Sequence, residues 1–342
     1  MEENIKVLEK VKGEIPVMSL DSTIEHIFYE KCMEKSKRIP VLLEWANSKK
    51  IYCGHTNLIS SMYGNYSCHD CTHSVAILEG IAAVIGKKRI ANMDIMDLWL
   101  LLHCAYAHDM GMPYSYSEAI ELWGEAKSNS EFKIFLDECR ISDDKDVCQA
   151  IDFIDAITQR IIPGRSAHEI NKKLVKEFSA DWPVRVQRYY TYLTSEYCRR
   201  KHASRTRELL ERNLIQKKHL SPYNVEDRLY KLVGLCSEMH GKDFSDLLKM
   251  EKKEWTQLGY CHPPFIAALL RLGDLLDIDN KRFDSIVLEY YGDLNKISAI
   301  HKKKHESITH IDYEINKIEI TAESDDEDVC RCANDWFAYL RF

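Results

Sequence analysis

The chain has 342 residues, and 47 lysines and arginines against 54 aspartates and glutamates leave a net charge of −7 with neutral histidines. That balance argues against a dedicated nucleic-acid binder, which would be basic, and no stretch approaches the roughly 18 uninterrupted apolar residues of a membrane span. Hydrophobic residues at 45% suffice to bury a core, and only 13 Gly and 8 Pro, set among long apolar-periodic stretches, predict helices.

In chain order, residues 1–50 read as a helical segment, with apolar residues at helical intervals in NIKVLEKV and RIPVLLEWA. Residues 51–70 carry Gly54, Asn57, Gly64, Asn65 and several serines, which predicts a loop. SVAILEGIAAVIG then reads as a mostly buried helix. A second helix runs through DIMDLWLLLHCAYAHD and stops at MGMP. The stretch 125–180 is more polar, with KSNSEFK and RISDDKD as loops and IIPGRS as a break. A long helical pattern follows from about Pro183 to Ile215. RLYKLVGLCSEMHG is amphipathic and closed by Gly241, and FIAALLRLGDLLDID is strongly apolar. Beyond residue 300, ITHIDYEINKIEITAE alternates apolar and polar residues around an Asn-Lys pair, a hairpin signal. EDVCRCANDWFAYLRF reads as a last helix, and its abrupt end at Phe342 reads as the start of a further domain. The fold class is therefore mainly α, a helical bundle with a small C-terminal α/β appendage. Its segments are 1–50, 51–300 and 301–342. The charged start MEENIKVLEKVK lacks a secretory apolar region, so the twelve cysteines are expected to be reduced thiols of a cytoplasmic protein, many of them small core residues.

One short stretch, CHDCTHS at 68–74, has cysteines at C-x-x-C spacing. A zinc ribbon would need a second matching pair, and the only close one is Cys330 and Cys332, at C-x-C spacing near the other end. A redox motif would need a βαβ context that is missing here. The downstream residues offer a third reading. His108 and Asp109 end an otherwise apolar helix, and Asp274 interrupts another. Ionisable groups in such places must be paired, hydrogen-bonded or bound to a metal. His73 precedes its own apolar helix, His202 lies in RRKHASRT, and His240 lies just before Gly241.

The ordered set His73, His108-Asp109, His202, His240 and Asp274 resembles the HD superfamily of metal-dependent phosphohydrolases. The motifs NYSCHDCTHSVAI, LLLHCAYAHDMGMP, RRKHASRT, CSEMHGKD and LLRLGDLLDID carry the resemblance across roughly residues 60–285. Within the superfamily it looks most like the HD domains of bacterial conflict systems, which are often fused or adjacent to a GHKL-type ATPase. Asp70 stands where those domains usually have glycine. The resemblance implies an HD-domain helical bundle with His73, His108, Asp109, His202, His240 and Asp274 as metal ligands, His108 and Asp109 being the catalytic pair. His69 is then a phosphate contact or a support behind the ligands, and the two cysteines of the motif are incidental.

Mixed imidazole and carboxylate donors suit Mn, Fe, Zn, Co or Ni, with Mg as a further candidate. One cation needs only His73, His108, Asp109 and Asp274. Adding His202 and His240 makes room for two, with Asp109 shared between them. Such cations activate water and polarise phosphoryl oxygens. Arg205 is the first candidate for substrate phosphate, followed by Arg207, Lys242, Lys281 and Arg282. Arg271 lies one turn before Asp274, where it could pair with that carboxylate or orient it. His103, about 140° round the helix from His108, reads as core or as a support of the site.

The expected activity is hydrolysis of a phosphoester or phosphoanhydride in a nucleotide or related small molecule. Two alternatives stand beside it. One is a catalytically silent HD module that binds a nucleotide and regulates a partner ATPase. The other is a structural zinc protein built on the CHDCTH cluster.

Overall fold

The computed structural model describes residues 19–62, 70–125, 130–141, 147–148, 150–152, 154, 182–211, 225–278, 296–314 and 317–340. The helix expected at NIKVLEKV, the break at IIPGRS, His69 and the Lys281-Arg282 pair lie outside these residues.

The described helices are α1 Thr23–Met33, α2 Ile39–Met62, α3 Cys71–Ile85, α4 Lys87–Asn92, α5 Ile95–Ala107, α6 Tyr116–Glu125, α7 Glu131–Arg140, α8 Trp182–Leu209, α9 Asp227–Glu238, α10 Phe244–Leu247, α11 Pro263–Leu276, α12 Lys296–Ser307 and α13 Glu327–Leu340. Two antiparallel hairpins accompany them: β1 Glu254–Thr256 with β2 Gly259–Cys261, and β3 Ile308–Glu314 with β4 Lys317–Ala322. The mainly helical class with a small C-terminal hairpin and helix is thus observed. No helix among the described residues is long and apolar enough to cross a membrane.

Helix α5 explains the architecture of the larger part. Every one of its residues is buried. A helix that is apolar all round has no solvent face and must be surrounded, and α1, α2, α3, α9 and α11 pack against it. Ile24, Phe28, Trp45, Ile77, Leu78, Trp99, Leu101, Leu102, Val233, Ile266 and Leu270 form one continuous core. Truncating such a residue, Leu101→Ala for instance, costs about 2–5 kcal/mol.

Two compact units result, one from residues 1–112 and 202–342 and one from 113–201. The second has its own aromatic core of Phe132, Phe135, Leu193 and Tyr197. There Trp123 donates from its indole nitrogen to Thr194 Oγ1 at 2.9 Å and lies against Tyr190.

Three local expectations change. The region read as a loop from residue 51 is helical through Met62. Gly54 faces open space, while Tyr52, Thr56 and Ile59 bury a stripe that holds the helix together despite the glycine. The β1–β2 hairpin, in EWTQLGYC, has strands of three residues, too short for an alternation signal. Lastly, Cys71 is not incidental and not a free thiol: it is disulfide-bonded to Cys53 and joins α2 to the start of α3. The other nine cysteines among the described residues form no disulfide, and most are buried.

Candidate metal centre

Five segments of the larger unit deliver the site, and each is anchored locally. Helix α3 starts at Cys71 because the Asp70 side chain accepts from the Thr72 backbone N–H at 2.9 Å, a normal N-cap. Asp70 therefore fixes where the helix begins. His73 then lies in the first turn, and His73, Ile77 and Ile81 form one stripe at i, i+4 spacing. Gly273 of α11 lies against that stripe. A Cβ built there would come within 2.8 Å of side-chain carbons of Ile77 and Ile81, and 2.9 Å from the Ile77 carbonyl oxygen. Only glycine allows this approach, and it brings the next residue, Asp274, to His73.

His108 and Asp109 sit in the turn that closes α5. Thr206 of α8 clamps that turn: its hydroxyl donates to the His108 carbonyl at 2.7 Å and accepts from the Gly111 N–H at 2.8 Å. Arg205 Nε donates to the Gly111 carbonyl at 2.8 Å. A Cβ on Gly111 would lie 2.1 Å from the His202 carbonyl oxygen, so the helix backbone rests directly on the turn. His202, one helical turn before Thr206, shares its face and points at the same centre. His240 occupies the 3₁₀ turn after α9, where a Cβ on Gly241 would lie 2.7 Å from the Ala203 Cβ.

All six expected ligands converge, in two groups. His73, His108 and Asp274 each offer a donor atom within 4.8 Å of the others, and so do Asp109, His202 and His240. His73 Nε2 is 3.2 Å from His108 Nε2 and 3.3 Å from Asp274 Oδ1. His202 Nε2 and His240 Nε2 are 2.6 Å apart. Asp109 connects the groups. Its Oδ2 lies 3.1 Å from His108 Nε2 and 3.5 Å from His73 Nε2, while its Oδ1 lies 3.4 Å from His202 Nε2.

The ring tautomers decide what this arrangement wants. His108 Nδ1 donates to the Ala105 carbonyl at 3.0 Å, His240 Nδ1 donates to the Ser237 carbonyl, and His73 Nδ1 donates to Asp277 Oδ2 at 2.5 Å. A neutral imidazole with Nδ1–H carries a lone pair on Nε2. Nε2 lone pairs and carboxylate oxygens therefore face one another in a buried volume, which is repulsive unless a proton or a cation lies among them. The field shows the same demand. Burial disfavours a charged His108, yet Asp109 and Asp274 push its pKa up to about 9. Burial, with His202 and His108 beside it, pushes His240 down to about 4. Burial opposes ionisation of Asp274, but His73 and the His108 charge hold its carboxyl well below the usual range. The two groups have the donor types and separations consistent with divalent metal binding.

The remaining expected residues fall around the rim. Arg207 bonds Glu211 at 2.8 Å and Glu238 at 2.9 Å, and Lys242 reaches Glu238 at 3.2 Å. Arg271 donates to the Lys242 carbonyl and so ties α11 to the segment after His240. His103 belongs to the core: its Nε2 lies 3.1 Å from Glu44 Oε2, and its Nδ1 accepts from Tyr52 at 2.8 Å. A third His/Asp group, Asp94, Asp97 and His262, is a helix junction. Both Asp97 oxygens are used by His262, from its backbone N–H at 2.7 Å and its ring at 2.9 Å. Asp277 is the site residue that motif reasoning passed over, although it stands one turn after Asp274 in GDLLD.

Comparison with known families agrees with this geometry. The HD-CE family model matches residues 63–341, most of the chain, and the chain belongs to the HD-CE family. Neither the curated proteins nor the solved structures gave a match.

Proposed function

We propose that this HD-CE protein is a metal-dependent phosphohydrolase whose centre takes two divalent cations and acts on a nucleotide or a related small phosphorylated molecule. The observation that carries the reading is the position of Asp109, whose two carboxylate oxygens face two separate histidine groups. His73, His108 and Asp274 would hold one cation with Asp109 Oδ2, and His202 and His240 the other with Asp109 Oδ1. Divalent cations in such a site lower the pKa of bound water and polarise phosphoryl oxygens.

The chain's own part is orientation. Thr206 and Gly111 fix the turn that carries His108 and Asp109, and the Nδ1 hydrogen bonds of three histidines aim their Nε2 atoms inward. Asp274 is the more exposed carboxylate, at 29% of its side-chain surface, and marks the open side from which a substrate reaches the centre. Arg205 is the phosphate contact we retain, because its bond to Gly111 holds the guanidinium beside the HD turn. Arg207 and Lys242 share Glu238, which a phosphate would have to displace.

Metal content tests the reading. Wild type and Asp109→Ala would be purified without chelators or a polyhistidine tag and measured by plasma mass spectrometry. About two cations per wild-type chain, lost in Asp109→Ala, followed by hydrolysis within a nucleotide panel, is the expected result. One zinc retained in Asp109→Ala would place the metal elsewhere. No cation in wild type, even after loading with manganese or iron, would leave the silent nucleotide-binding module as the better reading.

A further inference from the structure

His73 is held differently from its neighbours. His108 and His240 each give Nδ1–H to a backbone carbonyl three residues earlier, a neutral acceptor within their own turn. His73 gives Nδ1–H to a carboxylate 204 residues away in sequence, at 2.5 Å. Asp277 is only 6% exposed. Its backbone N–H bonds back to the Gly273 and Asp274 carbonyls at 3.2 and 3.3 Å, so it sits on the rigid end of α11. The same helix end therefore faces both nitrogens of one imidazole, with Asp274 Oδ1 at Nε2 and Asp277 Oδ2 at Nδ1. The C-terminal elements reinforce that end. Trp336 donates to the Leu275 carbonyl at 2.9 Å, and strand β3 packs on α3.

We infer that Asp277 is a positioning residue of the metal centre. It fixes the tautomer and tilt of His73, and it makes the His73, His108 and Asp274 group the tighter of the two cation sites. The physical ground is that a carboxylate on the far nitrogen orients an imidazole ligand and strengthens its donor atom. Losing such a partner costs about 10–100-fold in metal affinity. The inference rests on the two-cation reading above, but the two can fail separately.

The test uses cobalt(II) alone, titrated into the metal-free full chain. It is followed by visible absorption of the bound ion and by elemental analysis after dialysis. Wild type is expected to take a tight and a weaker cobalt. Asp277→Asn is expected to weaken the tight step about 10–100-fold, leave the weaker step within about threefold, and shift the cobalt spectrum. Asp97→Asn, which removes the buried carboxylate at the His262 junction, should move neither step. Equal tight binding in wild type and Asp277→Asn, at matched thermal melting in EDTA, would overturn the inference. Should Asp277→Asn fail to fold, nitrogen-15 NMR of the wild-type histidine rings decides, with His73→Gln assigning the signal. His73 protonated on Nδ1 supports the inference, and His73 protonated only on Nε2 sinks it. A wild type that takes no cobalt would sink the two-cation reading, and the ring tautomer would still judge the role of Asp277.

Discussion

His103 and His108 lie five residues apart at the same end of the central helix, both buried, yet their surroundings differ in kind. Around His103 the polar groups of Glu44, Trp99, Ser48, Tyr230 and Tyr52 answer one another. The Glu44 carboxylate accepts from Trp99 at 2.8 Å, from Ser48 and Tyr230 at 2.5 Å each, and from His103 at 3.1 Å, while Tyr52 donates to the other ring nitrogen. Around His108 the donors are spent on outer partners, and the acceptors face one another. A closed buried network needs nothing more and stabilises the fold. An open one needs a ligand. The distinction lies in the hydrogen-bond partners, not in residue type or burial.

The sharpest way to break this comparison is to remove the shared acceptor of the open network. Asp109→Ala is expected to abolish metal retention and to lower hydrolysis by more than about a hundredfold, beyond the range for an outer partner. Melting in EDTA should also fall, because His108 loses the buried carboxylate that holds its proton in the metal-free protein. A variant that melts far lower while keeping its metal would show that Asp109 is structural.

Glu44→Ala should do the opposite. It leaves four donors unanswered in the core and should cost about 3–5 kcal/mol in urea unfolding, with metal per folded chain unchanged. The same carboxylate predicts a pH effect. Burial alone would raise its pKa, but His103, Ser48 and Tyr230 together hold it below the ordinary value. Its contribution is therefore fully present above the unfolded carboxylate pKa, about 4.3, and is lost as pH falls through the lower folded value. Urea unfolding of the chelated protein between pH 6 and pH 3 should show a loss of stability that Glu44→Gln lacks.

Gly111→Ala probes the seam that joins the open network to α8. Its methyl would meet the His202 carbonyl and force a shift costing about 1–3 kcal/mol. The displaced His202 should weaken the second cation while the first remains. Loss of both in equal measure would mean that the two groups are not separable. The smallest effect is expected for Tyr52→Phe, which removes one hydrogen bond to His103. It should lower stability by about 1 kcal/mol and leave the metal untouched.

The open network was the more legible of the two in the sequence. Polar residues in apolar helices stand out, and His108, Asp109 and Asp274 interrupt strongly hydrophobic runs. The helices were legible for a related reason, since an α5 with apolar residues on every face can only be central. Glu44 was not, because a glutamate in VLLEWANS reads like any helical surface acid until Trp99, Ser48 and Tyr230 are seen around it. Asp277 was hidden by its position at a helix end, where an acid is commonly solvated. Its partner lies 204 residues away, and no local pattern encodes such a pairing. The same limit applies to the Cys53–Cys71 bond and to Glu238, which takes Arg207 from 31 residues away.

The separation between His73 and Asp277 also bears on how the protein is made. His73 meets His108 across 35 residues and Asp277 across 204. The longer closure costs about 1.5 kcal/mol more chain entropy in the unfolded ensemble. At a synthesis rate of about 5–20 residues per second, the chain carries His73, His108 and Asp109 for roughly ten to thirty seconds before α11 is complete. Throughout that interval a cation would meet only a fraction of its ligands. On the two-cation reading, loading would therefore come late, once α11 has supplied Asp274.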